Sequence, residues 1–351
     1  MSEVFLGEVA KERKETSKDN KGRYPIVGLE HLISEEITLT AWEENKENSF
    51  TKIFRKGDVL FGRRRAYLKK AVVAPFDGIC SGDITVIQAL PDKILPELLP
   101  FIIQNDALFD FAIGKSAGSL SPRVKWENLK NFRFELPDLK EQSKLASLLW
   151  SIDSTKKTYQ KLIQKTDELV KSQFIEMFGS IDSVGTFPRK QWDEVLQIIN
   201  GRDYKDIADP NGQYPVYGSG GLMGRATDYI CPENTIVVGR KGTIDKPFIV
   251  YEKFWNVDTA FGVVPEQGIL HYLYLFWYCK QLDFKKLNKA STLPSTTKDD
   301  LLKLWINIPP YDQQKQFAAF VRQSDKSKFE LEQTLSELNA TYKRIIEENL
   351  G

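Results

Sequence analysis

Residues 138–178 read DLKEQSKLASLLWSIDSTKKTYQKLIQKTDELVKSQFIEMF, with no glycine and no proline. Leu145, Leu148, Ile152, Thr155, Tyr159, Leu162, Thr166 and Leu169 recur at alternating three- and four-residue steps. That spacing predicts a heptad seam along one helix, with Lys, Glu and Gln around it. Pro137 suits a helix start, and Gly179 stands where a C-terminal glycine belongs. At 1.5 Å per residue the helix would be roughly 60 Å long, too long to be packed inside one globule. It needs a partner helix.

The partner lies at the far end of the chain. Residues 312–350 read DQQKQFAAFVRQSDKSKFELEQTLSELNATYKRIIEENL, again without glycine or proline. Phe317, Val321, Ser324, Lys328, Leu331, Leu335, Leu338, Tyr342 and Ile345 keep the same spacing. The two helix starts also agree, LPDLKEQSKLAS at 136–147 against PPYDQQKQFAAF at 309–320. Each narrow stripe is expected to bury itself against the other. Trp150, Phe174 and Met177 fall off the seam and stand as candidates for a second contact surface.

The stretches between the helices repeat as well. Tyr24 to Gly28 (YPIVG) is answered by Tyr214 to Gly218 (YPVYG), and Asp58 to Arg65 by Asn234 to Gly242. Val257 to Phe261 answers the segment around Asp83, and Leu270 to Leu287 has the helical apolar content of Leu95 to Ile113. Short β-branched strands with one good helix make an α+β pattern. The expected order is a globule over 1–136, a long helix over 137–180, a second globule over 181–308 and a second long helix over 309–351. The period is about half the chain, far too long for a solenoid, and reads as a tandem duplication. The fold class is α+β, two tandem α+β globules separated by two long helices that form an antiparallel coiled coil.

Composition excludes several classes. The chain has 351 residues, 41% hydrophobic and 28% charged, with a formal net charge of +1. This is an ordinary globular balance, without an apolar run long enough for a membrane or a secretion signal, so a cytoplasmic protein with no membrane partner is expected. Three scattered cysteines and two histidines make no metal site.

A near-zero net charge leaves the electrostatic case to local patches. Arg63, Arg64, Arg65 and Lys69, with Tyr67 among them, form the densest basic cluster, at a strand end. Arg240, Lys241, Thr243 and Lys246 answer it in the second copy, with fewer charges. Arginine suits both phosphate contact and a bidentate grip on guanine. The loops carrying Lys115, Ser119, Arg123 and Lys125, and Ser291, Thr292, Ser295 and Lys298, mix hydroxyls with cations before a strand, as phosphate-positioning loops do. Look-alikes fail: Gly218 to Gly224 lacks the strand–GxGxxG–helix context, and Ile308 interrupts the Asn-Pro-Pro-Tyr of adenine methyltransferases. No P-loop, HExxH, nucleophile elbow or acid–base carboxylate pair is found. Catalytic residues, metal and cofactors are therefore expected to be none.

The strings GDVLFGRRRAYLKKAVVAPFDGICSGDITVI, LPDLKEQSKLASLL, YPVYGSGGLMG, NTIVVGRKGTIDKP and IPPYDQQKQFAAF resemble the specificity subunit of Type I restriction–modification systems, and the likeness covers nearly the whole chain. The resemblance implies that each globule is a target recognition domain, held in inverted orientation by the helices. It implies a non-catalytic reader of double-stranded DNA with a bipartite, gapped target, one half-site per domain. It implies docking of two methyltransferase subunits, with restriction and translocase subunits in the full complex. The alternatives are a DNA methyltransferase or nuclease with degenerate motifs, and a coiled-coil scaffold without a DNA role.

Overall fold

A computed structural model of the chain describes residues 2–16, 24–182, 187–288 and 294–350. The long helices run Leu139–Phe178 and Tyr311–Leu350. The chain divides into two compact units, residues 1–161 with 332–351, and residues 162–331. Each unit holds one globule and part of each long helix.

In the first unit, Ala10–Glu12, Ile84–Ala89, Val59–Gly62 and Ala71–Val73 form an antiparallel sheet in that order. Ile26–Val27 lies parallel to Gly78–Cys80, which also pairs antiparallel with Lys52–Phe54. Ser2–Phe5 pairs with Arg133–Leu136, so the strand that feeds the central helix is pinned by the start of the chain. The second unit repeats this plan. Leu196–Asn200, Ala260–Pro265, Thr235–Gly239 and Phe248–Val250 form the same antiparallel order. Tyr214–Gly218 lies parallel to Trp255–Asn256, and Arg189–Gln191 pairs with Trp305–Asn307. The copies differ at one edge, where Tyr214–Gly218 adds a hairpin partner, Gly221–Ala226. The helix expected over 95–113 is split into Leu99–Ile103 and Asp106–Gly114. Asn105 causes the break, because its side-chain oxygen accepts from the Ala107 amide at 3.0 Å and caps the second piece.

The matching helix starts have one physical meaning. Gln142 is buried; its amide nitrogen donates to the Pro137 carbonyl at 2.9 Å and its oxygen accepts from the Leu95 amide at 2.8 Å. Gln314 is buried likewise. It donates to the carbonyls of Pro309 and Ile269, both at 2.9 Å, and accepts from the His271 amide at 2.8 Å. One side chain in each copy thus ties the first turn of a long helix to the segment that leads into its globule's own helix. A buried amide left unpaired would cost about 1–3 kcal/mol, so the tie specifies the angle at which the helix leaves.

Within each unit the long helices run antiparallel. In the second, Phe174 meets Phe317 (5.4 Å between ring centres) and Lys328 donates to Asp167 at 2.9 Å. In the first, the Lys156 ammonium lies 4.5 Å from the Tyr342 ring centre, while Leu145 and Leu148 border Ile345 and Asn349. The stripe expected on the C-terminal helix is the one that packs, with Phe317, Val321, Ser324 and Tyr342 buried. The central helix needs a correction. Leu145, Ile152, Tyr159 and Thr166 do face inward, but the other heptad position is shifted by one residue. Leu149 and Val170 are buried and Lys156 and Ile163 half-buried, whereas Leu148, Leu162 and Leu169 are 47%, 46% and 54% exposed. Hydropathy alone favours the leucine frame over one containing Lys156. The structure tolerates Lys156 because its stem is buried and its charge rests on an aromatic face.

Trp150, Phe174 and Met177 are also reassigned, since each packs on its own globule rather than forming a second contact surface. Trp150 packs edge-on against Phe101 (5.1 Å) and its indole N–H donates to the Glu97 carbonyl at 2.9 Å. Phe174, with Met177 beside it, joins Phe178, Tyr274 and Phe317 in an aromatic cluster that seats the helix end. The shifted frame makes a pairwise prediction. Val170→Ala should destabilise the second unit by about 1–3 kcal/mol, by loss of buried methyls and a cavity, while Leu169→Ala should stay within about 0.5 kcal/mol. Urea denaturation of both variants checks this, and equal effects would restore the leucine frame.

Candidate nucleic-acid interface

In the first copy the strand Val59–Gly62 ends in the arginine run, and the run is stitched to the loop before Val124. The Val124 amide donates to the Arg63 carbonyl at 2.9 Å, and the Arg65 amide to the Pro122 carbonyl at 2.8 Å. Arg64 and Arg123 form an isolated antiparallel bridge, and the Arg63 amide donates to the Asp83 carbonyl at 3.0 Å. Two segments far apart in sequence therefore make one surface.

The second copy reproduces this stitching bond for bond. The Thr296 amide donates to the Arg240 carbonyl (2.9 Å), the Gly242 amide to the Pro294 carbonyl (2.9 Å) and the Arg240 amide to the Thr259 carbonyl (2.8 Å). Lys241 and Ser295 form the corresponding bridge. Arg63, Arg64, Arg65 and Arg123 thus stand where the second copy has Arg240, Lys241, Gly242 and Ser295. Arg65 and Gly242 share a left-handed backbone, φ 55° and 81°. Glycine adopts that conformation freely, whereas Arg65 holds it at a cost of about 1–3 kcal/mol.

The side chains divide into tied and untied groups. The Asp83 carboxylate accepts from Arg123 Nε at 2.7 Å and from a terminal nitrogen at 3.2 Å, with an Arg64 terminal nitrogen at 3.5 Å. Arg64 Nε also donates to Ser121 Oγ at 2.6 Å. These guanidiniums hold the Asp83 carboxyl below its ordinary value, the Arg123 hydrogen bond contributing most. Lys69 pairs with Asp106 at 2.5 Å. Arg63 is half-buried, and its Nε has no acceptor among the described residues. Arg65 is exposed, with no side-chain partner among the described residues, and Tyr67 projects beside it, 53% exposed. Lys115, Ser119 and Lys125 are exposed around the loop, with the Lys115 ammonium 5.8 Å from the Phe111 ring centre.

In the second copy an Arg240 terminal nitrogen donates to the Asp258 carbonyl (3.3 Å), and the Lys241 ammonium lies 3.6 Å from the Asp258 carboxylate. Lys246 is exposed and Thr243 half-buried. Lys298 points elsewhere, donating to the Ile198 carbonyl at 2.9 Å. Ser291 and Thr292 lie outside the described residues. Sequence reasoning missed Asp83, Ser121 and Asp258. Asp83 is 19 residues from Arg64 and 40 from Arg123, so no local pattern announces the clamp.

The look-alike motifs are structural. Gly218 to Gly224 belongs to the hairpin of Tyr214–Gly218 and Gly221–Ala226, with its turn at Ser219 and Gly220. Asn307 is buried in a strand, with its carbonyl accepting from the Tyr274 hydroxyl at 2.8 Å, and Tyr311 opens the C-terminal helix. No helix of the described residues is long and apolar enough to cross a membrane.

Comparisons with known proteins point to one family. The family described as Type I restriction modification DNA specificity domain matches residues 1–166 and 187–339, one copy per globule. A Methanocaldococcus jannaschii protein named as the type I restriction enzyme MjaX specificity subunit is 22% identical, over 88% of this chain and 83% of its own. The crystal structure of a type I restriction–modification S subunit from M. genitalium superposes with a TM-score of 0.66, at 13% identity, over 100% of this chain and 96% of that one. A chain from work on complex assembly and conformational transition of the type I system gives 0.61 at 21% identity, over 99% and 97%.

The Asp83 clamp makes a pH prediction. A carboxyl lowered by folding stabilises the folded state above its ordinary value of 3.8, and that contribution disappears as pH falls through the lowered value. Asp83→Asn should therefore be less stable than wild type at pH 6, by about 1 kcal/mol. The gap should begin to narrow near pH 4 and close as pH falls through the lowered value, as urea midpoints from pH 6 downward would show. A gap independent of pH would mean that the carboxylate charge does not hold the arginines.

Proposed function

We propose, for a chain that belongs to the Type I restriction modification DNA specificity family, that it reads a bipartite double-stranded DNA target through its two basic turns, one half-site per globule. The observation that carries this reading is the duplicated stitching of a cationic strand end to a hydroxyl-bearing loop, with cations exposed in each copy. The globules over 1–136 and 181–308 act as target recognition domains. The tied arginines, Arg64 and Arg123, are pre-oriented by Asp83, which lowers the entropy lost when a planar guanidinium grips a base edge. The untied Arg65, Lys115 and Lys125 suit phosphates, which position without specifying. In the second copy Arg240, Lys241 and Lys246 take these roles, with Ser295 replacing Arg123, and this difference suits a different half-site.

The chain performs no chemistry in this reading. Methyl transfer and cleavage belong to the methyltransferase and restriction subunits it assembles with. Leu162 and Leu169, left exposed by the shifted seam, form an apolar stripe on the part of the central helix in the second unit, and this stripe suits the methyltransferase subunits. A DNA partner suits a cytoplasmic location for the working complex.

Replacing Arg65 and Lys125 with Ala should weaken binding to all sequences and reduce the salt slope of log K by about 1 for each phosphate no longer neutralised. Arg123→Ala should cost about 1–3 kcal/mol at a single base pair. Arg240→Ala should act on the other half-site alone. Fluorescence anisotropy on the mapped target, at several salt concentrations, measures all three, and salt slopes unchanged by every substitution would remove the DNA reading. Leu162→Asp with Leu169→Asp should abolish co-purification of the methyltransferase subunit while the melting temperature of the chain is kept.

A further inference from the structure

Each basic turn carries an exposed apolar tip that charge reading does not explain. In the first copy, Ala117 and Arg123 exchange both backbone hydrogen bonds, at 3.0 and 2.9 Å, closing the loop between them. Arg64 holds Ser121 Oγ at 2.6 Å and the Arg65 amide holds the Pro122 carbonyl at 2.8 Å. Leu120 stands on top of this pinned loop, 91% exposed, more than any other large hydrophobic residue described. In the second copy residues 289–293 lie outside the described residues, and exposed apolar side chains stand on another segment tied to the basic turn. Ser219 donates through Oγ to the Lys241 carbonyl at 2.7 Å, which fixes the hairpin turn to the basic turn. Leu222 and Met223 follow it, 64% and 56% exposed. A single exposed leucine is ordinary. Exposed apolar residues on a segment hydrogen-bonded to the cationic turn, in both copies, are not.

We propose that Leu120 in the first globule, and Leu222 with Met223 in the second, are wedges that enter the base stack at each half-site. The inference rests on the DNA-reading function and names a further contact within it. Leucine and methionine are side chains that proteins insert between base steps, and unstacking costs a few kcal/mol per step. The cations of each basic turn offset that cost by holding nearby phosphates: Arg65 and Lys125 in the first copy, Lys241 in the second. The wedge has a use in the complex, because a partner that modifies a base must reach it outside the stack. A step loosened by the reading subunit lowers what the partner must supply.

The test uses the chain in complex with its partner subunits on its mapped target, with 2-aminopurine placed in turn at positions of each half-site. Wild type should raise the fluorescence at one step per half-site. Leu120→Ala should abolish the rise in the first half-site only, and Leu222→Ala with Met223→Ala in the second only, each weakening specific binding by several-fold. Leu120→Phe should keep the signal. Specific binding with fluorescence that the tip variants leave unchanged, or loss of binding in Leu120→Ala that Leu120→Phe does not restore, would overturn the wedge and leave the DNA reading intact. Absence of sequence-specific binding by the wild-type complex would overturn both.

Discussion

The buried amides of Gln142 and Gln314 are the constraint on which the rest depends. Each is enclosed where a long helix begins, and each is paired through both its nitrogen and its oxygen. A heptad seam resists sliding only weakly when it is narrow and interrupted by Thr and Lys. A buried amide, with its pairing fixed to backbone groups on both sides, admits one geometry. Because the same residue does this at both starts, each globule meets its departing helix in the same way. The aromatic cluster of Phe174, Phe178, Tyr274 and Phe317 then seats the end of the central helix in the second unit, and Tyr342 with Phe101 and Trp150 plays the matching part in the first.

Duplication explains why the basic turns share a backbone and differ in side chains. The stitching bonds are main-chain bonds, so they survive replacement of Arg64 by Lys241 or of Arg123 by Ser295. What changes is the set of groups presented. The first copy carries more cations but ties more of them, through Asp83 and Asp106; the second carries fewer and ties them more loosely, through Asp258. Counting charges in the sequence therefore overstates the contrast between the copies. The backbone frame is held constant while the reading groups vary, which is what two half-sites of different sequence require.

The duplicated plan was legible because it repeats as strings: the YP-initiated strands, the glycine at the strand end before the arginines, and Pro122 opposite Pro294. The long helices were legible from period and from the absence of glycine and proline. The seam on the central helix was only half legible. Two frames share Leu145, Ile152, Tyr159 and Thr166, and the choice between Leu148 and Leu149 as the next position depends on Tyr342 receiving Lys156, a contact across about 190 residues that periodicity cannot see. The off-seam aromatics were misassigned for the same reason, since their partners Phe101 and Tyr274 lie on the globules. At the basic turns the dense cations were visible in the sequence, but their tethering was not. Asp83 reads as an unremarkable turn residue until the fold brings Arg64 and Arg123 to its carboxylate.

Each globule should read its own half of a divided target on a shared frame. The most direct measurement exchanges residues 181–308 for the corresponding globule of a relative with a different target, and maps methylated bases across the genome of a host carrying the complete system. One half of the methylated sequence should change to the relative's half-site while the other half is kept. A change in both halves, or in neither, would contradict that reading.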